Sequence, residues 1–143
     1  MKLDFWQVAS GPRERVVAQI AARVLANGER LLVVDGDEER RTATAKALWA
    51  SDGFLANGAA GEPHADRQPI LLSDGCQPAN GAATAVIADG VWRDPGEAFE
   101  RLILLFDADG APDARKVWRD FDGREDVTRS YFEQEGGKWV KKA

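Results

Sequence analysis

The apolar residues change their spacing along the chain, and each change marks an element. The run LDFWQVA at positions 3–9, rich in aromatic and branched residues, predicts an opening strand. Ser10-Gly11-Pro12 then supplies a cap and a proline near the first turn of a helix. Val16, Val17, Ile20 and Val24 keep one face of that helix apolar until Asn27-Gly28 closes it. RLLVVD, at 30–35, is a continuous apolar run of the kind buried on both faces in a parallel sheet. A second helix is predicted over 37–50, where acidic residues in the first turn suit the helix dipole. Short strands are predicted at 70–73 and 84–89, and the most hydrophobic, at 101–107, should be central. Residues 111–121 predict a third helix, with Pro112 in its first turn and Gly123 just past its end. The tail VTRSYFEQEGGKWVKK predicts a hairpin turning at Gly136-Gly137.

The order β-α-β-α-β-β-β-α-β-β predicts an α/β fold of three layers around a mostly parallel sheet. Positions 51–69 break this rhythm: they have little periodicity and are rich in Gly, Ala and Pro, so they read as a long functional loop. No repeat or linker interrupts the chain, and residues 1–143 read as a single domain.

Composition narrows the functional classes. A hydrophobic fraction of 44% and a charged fraction of 30% suit a soluble globular protein. No apolar run approaches the roughly 20 residues that span a bilayer. The opening residues lack the apolar stretch of a signal peptide, so the expected compartment is cytoplasmic, with no membrane partner. A net charge of −5 makes direct binding of duplex DNA a poor expectation. From position 111 onward, however, 8 basic residues stand against 7 acidic ones, so an anionic partner is expected near the C-terminal segment.

Neither G-x-G-x-x-G nor G-x-x-x-x-G-K-[ST] occurs, and acidic residues at 37–39 would repel a pyrophosphate from the second helix. Asp37 is better read as a charged helix cap. Asp107 and Asp109 end the central strand but lack the companion cluster of a metal site. His64 stands in a proline-flanked loop without a nearby nucleophile, and Cys76 has no adjacent basic residue to lower its thiol pKa. No catalytic residue, cofactor or metal is expected. The alternative is a small nucleotide- or metal-dependent enzyme working at the strand ends near Asp35 and Asp107.

The third helix carries a more specific pattern. Ala114, Val117, Trp118 and Phe121 fall on one stripe, predicted to face the core. Arg115 and Arg119, four residues apart, stack on one flank of it, suited to gripping a carboxylate bidentately beside Trp118. The competing expectation is that both arginines pair with Asp113, Asp120 or Asp122.

The chain resembles the chi subunit family of bacterial DNA polymerase III almost end to end. The resemblance rests on DFWQ, LLVVDGDEERRTATAKALW, FLANGAAGEPHADRQPILLS, and LLFD followed by ARKVWRDF. The ending YFEQEGGKWVKKA is similar to that of alphaproteobacterial members. It implies a nucleotide-binding-like (Rossmann-like) fold without a phosphate loop, and a non-catalytic adaptor. That adaptor would hold the acidic C-terminal tail of single-stranded DNA-binding protein. Its other implied partners are the psi subunit or clamp loader and, in some members, an XPD/Rad3-like helicase, with DNA contacted only indirectly. By resemblance the tail site comprises Phe54, Arg115 and Arg119, and the pattern of the third helix adds Trp118 and Phe121. The family's tyrosine and lysine one turn further along are replaced here by Phe121, Asp122 and Gly123, with Lys116 or Arg124 as substitutes.

Overall fold

The structure, a computed structural model, describes residues 1–9, 11–51, 53, 55–136 and 138–143. Among them the chain forms eight strands, three α-helices and one 3-10 turn. In order these are β1 (Lys2–Gln7), α1 (Arg13–Ala26), β2 (Leu31–Val34), α2 (Glu38–Ala50), β3 (Gly58–Ala59), the turn Ala65–Arg67, β4 (Ile70–Ser73), β5 (Thr84–Ile87), β6 (Arg101–Phe106), α3 (Ala111–Asp120), β7 (Thr128–Glu135) and β8 (Lys138–Lys141). All eight strands join one sheet in the order β3-β4-β2-β5-β6-β1-β7-β8. Every pairing is parallel except the β7–β8 hairpin.

The three predicted layers follow from side-chain alternation on strands buried on both faces. Leu3, Phe5, Leu32, Val34, Leu102 and Leu104 face one side, where Ala111, Ala114 and Val117 of α3 cover them. Trp6, Leu31, Val33, Ile103 and Leu105 face the other, against Val17, Ile20 and Val24 of α1 and Leu48 of α2. Burying one such large side chain contributes about 1.5–3 kcal/mol. The strand predicted to be central, β6, lies fifth of the eight and is buried from Leu102 to Phe106.

Local signals acted as their chemistry suggests. Asp37 caps α2, its side chain accepting the Arg40 N–H at 3.1 Å. Asn27 caps α1, followed by Gly28 at φ 75°. The start of α1 is flanked by Pro12, and the expected cap at Ser10 lies outside the described residues, as does Gly137 of the hairpin turn.

The segment predicted to lack structure is partly organised. Gly58 and Ala59 pair in parallel with Leu71 and Leu72, adding an edge strand too short for any periodicity to announce. A Cβ on Gly58 would lie 2.7 Å from the Gln68 side chain, so glycine lets this edge close against the following turn. His64, exposed and in the left-handed region at φ 66°, precedes that turn and has a loop-forming role.

Candidate functional site

Connections leaving the C-terminal ends of β2 and β5 pass to opposite faces of the sheet, α2 on one side and the Trp92–Phe99 segment on the other. In open α/β sheets such a divergence makes the usual ligand crevice. Here the protein's own ion pairs occupy it. Asp35, 3% exposed, accepts from Arg40 Nε at 3.2 and 3.1 Å and from Nη2 at 3.1 Å. Asp89 accepts both Arg93 terminal nitrogens at 2.9 Å and the Gly36 N–H at 2.9 Å. Burial pushes the Asp89 carboxyl up, but Arg93 and the N–H groups of Gly36 and Val91 outweigh it and hold it below the usual range.

Asp107 behaves similarly at the end of β6. It accepts the Gly110 N–H at 3.0 Å and Arg13 Nη2 at 2.8 Å, while Arg13 Nη1 reaches the Ala88 carbonyl at 2.9 Å. The Gly110 N–H and the Arg13 pair together hold its carboxyl low. Among the described residues no group of three or more His, Cys, Asp or Glu side chains is placed to hold a metal. Asp35 and Asp107 thus carry visible structural duties.

A different surface forms where α3 lies over β1 and β7. The parallel β1–β7 register sets Tyr131 beside Phe5 and Arg129 beside Leu3, on the face that α3 covers. Trp118 packs edge-on against Phe5 at 5.2 Å and Tyr131 at 6.0 Å between ring centres. The Arg129 guanidinium lies 4.3 Å from the Trp118 ring centre, donates to the Trp118 carbonyl and pairs with Asp122 at 3.1 Å. The Tyr131 hydroxyl donates to Gln7 Oε1 at 2.6 Å. Burial and the Glu133 charge raise the Tyr131 pKa above its ordinary value, and the Arg115 guanidinium opposes them.

Arg115 and Arg119 are exposed along this flank. Among the described residues neither enters an ion pair. Asp122, one of the predicted partners, is held by Arg129 instead. Phe121 is placed elsewhere: it ends α3 and packs edge-on against Trp92 at 5.5 Å, with the Arg124 guanidinium 5.2 Å from its ring centre. Phe54 lies outside the described residues. Of the expected set, the structure groups Arg115, Trp118 and Arg119, and adds Tyr131 and Arg129, which sequence reasoning missed. The alternation in TRSYFEQE carried the signal, since Arg129 and Tyr131 are two apart and share a face.

Residues 1–126 match the family model described as DNA polymerase III chi subunit, HolC. The chain belongs to the DNA polymerase III chi subunit family. A replication accessory role follows from that membership. The match ends just before β7, so Arg129 and Tyr131 lie beyond it. No curated protein matches the chain. No helix among the described residues of this chi-family protein is long and apolar enough to cross a membrane.

Proposed function

We propose that this chi-family protein is a non-catalytic adaptor that holds the acidic C-terminal tail of single-stranded DNA-binding protein against α3. The carrying observation is the pair of exposed, unpaired guanidinium groups of Arg115 and Arg119 beside the Trp118–Tyr131 wall. Two arginines one helical turn apart can take a terminal carboxylate and a neighbouring acidic side chain. Trp118 and Tyr131 offer an aromatic surface for an apolar end residue. Arg129 holds the Trp118 ring in place, its own charge met by Asp122. Capture of a C-terminal carboxylate by preorganised donors is a recurring mode of peptide recognition. Phe54 belongs to the set by resemblance alone and lies outside the described residues, and Phe121 packs against Trp92 rather than Trp118.

Linking that tail to the clamp loader, through psi where psi exists, requires a second surface. Trp49 on α2, 49% exposed at the β3–β4 end of the sheet, is the surface we assign to it.

Calorimetric titration with a peptide copying the tail tests the reading. Micromolar binding that weakens with salt is expected, with Arg115→Ala and Arg119→Ala each losing most of it while the fold stays intact. Undiminished affinity in both variants would overturn the site. A thermal-shift response to nucleotides or Mg²⁺, with none to the peptide, would instead favour chemistry at Asp35 and Asp107.

A further inference from the structure

Around α3, at 100° per residue, Asp113 and Asp120 lie on the flank away from Arg115 and Arg119. On that side opens a cleft of about 550 Å³, bounded by the segment from Trp92 to Phe99, the end of α3 and the stretch from Arg124 to Val127. Its aromatic walls are Trp92, Phe99 and Phe121, the first and last meeting edge-on at 5.5 Å. Four carboxylates line it, from Asp94, Glu97, Asp120 and Asp126, against two cations, the Arg124 guanidinium and the Met1 ammonium, which donates to the Asp126 carbonyl at 3.0 Å. Asp94 is partly engaged by the Gly96 N–H at 2.9 Å. Glu97 and Asp120 are exposed, and among the described residues they enter no ion pair.

The protein itself shows what this lining accommodates. Arg124 lies over the Phe121 ring at 5.2 Å while its Nε and Nη2 reach the two Asp126 oxygens at 2.8 and 2.7 Å. One planar cation is thus already held between an aromatic face and a carboxylate. Trp92, Glu97 and Asp120 line the same cleft, and among the described residues neither carboxylate is paired with a guanidinium.

We propose that this cleft docks an arginine-bearing basic segment of a partner protein. The charge of the lining selects a cation. The aromatic walls select arginine over lysine, because a guanidinium stacks flat on a ring while its edge donates two parallel hydrogen bonds. The two flanks of α3 are then seats of opposite sign, an anionic peptide on one side and a cationic one on the other. This site is separate from the tail seat and stands or falls without it.

The test follows the Trp92 indole N–H by NMR in the ¹⁵N-labelled full chain. The probe is an acetylated, amidated Gly-Arg-Gly-Arg-Gly peptide, with citrulline replacing arginine as the neutral control. A saturable Trp92 shift that shrinks with salt is expected, and none with the citrulline peptide. In Glu97→Gln/Asp120→Asn the affinity should fall about two- to thirtyfold, since each exposed pair is worth about 0.2–1 kcal/mol. Trp92→Leu provides an independent measure of stacking, read through neighbouring backbone amides, and should weaken binding likewise. A Trp92 signal unmoved by the arginine peptide, equal shifts from both peptides, or undiminished affinity in the double variant each overturn the proposal. So does a Trp92 shift that depends on protein concentration alone, which would make a second copy of this chain the occupant.

Discussion

The guanidinium of Arg129 lies 4.3 Å from the centre of the Trp118 ring, and the same side chain donates to the Trp118 carbonyl. One residue of β7 thereby fastens both the backbone and the ring of α3's last turn. Helix α3 has only ten residues, too short to hold itself in water, so its order depends on such tertiary ties. A half-buried cation–π contact contributes about 1 kcal/mol, and a hydrogen bond from a charged donor about 1.5–3 kcal/mol.

Arg129→Met keeps most of the stem and removes both ties. It should destabilise the fold by about 1–3 kcal/mol in urea unfolding and weaken binding of the acidic tail peptide. Arg129→Lys should recover only part of the loss, because an ammonium cannot stack and fork at once. An unfolding midpoint equal to the parent's in both variants would show that α3 is held by packing alone.

The sequence contains one tyrosine, so the tyrosinate absorbance band reports Tyr131 without assignment. Burial and Glu133 already hold its pKa above the ordinary value, with Arg115 pulling the other way. Arg115→Ala should therefore move the titration midpoint further up. A raised folded-state pKa means that this group's stability contribution is fully present below the unfolded value near 10 and is lost as pH climbs through the folded one. An acidic peptide seated on Arg115 would offset the arginine's field and raise the midpoint as well. A midpoint indifferent to both changes would place Arg115 away from Tyr131 in solution.

Much of this architecture was legible because each strand is buried on both faces and carries its own apolar run. RLILLF announced the centre of the sheet, and Val16, Val17, Ile20 and Val24 announced the buried stripe of α1. The strand order was not legible, since β1 takes its parallel neighbours from β6 and β7, roughly a hundred residues away. The site was half legible for the same reason. Arg115, Trp118 and Arg119 share one helix and obey its period, whereas Arg129 and Tyr131 reach them only through the β1–β7 register. Phe121 keeps to the predicted core-facing stripe, packed on the same cluster as Ala114, Val117 and Trp118, but as the C-cap of α3 its ring meets Trp92. The acidic turn after β2 looked like plain surface. Its first member, Asp35, is in fact buried and clamped by Arg40.

Asp4 is the sharpest case of a residue whose partner only the fold supplies. It stands inside β1 with its side chain 3% exposed, and Arg101, at the start of β6, holds one oxygen through Nε at 2.9 Å and Nη2 at 2.6 Å. Lys2 pairs with Arg101 and Asp4 with Ile103 in the register, so the ion pair runs diagonally across two parallel strands. Removing only the cation leaves a carboxylate sealed on the face where α1 packs. Arg101→Leu should destabilise by about 2–3 kcal/mol, somewhat less than orphaning one member of a fully buried pair, because the Arg101 side chain is itself 38% exposed. Replacing both, as Asp4→Val/Arg101→Leu, should restore most of that loss, because an apolar pair at this place incurs no desolvation of charge. Urea unfolding of Arg101→Leu, Asp4→Val and the double variant beside the parent gives the coupling directly. If the double replacement proved as damaging as the single one, Arg101 would be acting through its packing over β1 and β5, and the charge of Asp4 would be tolerated without it.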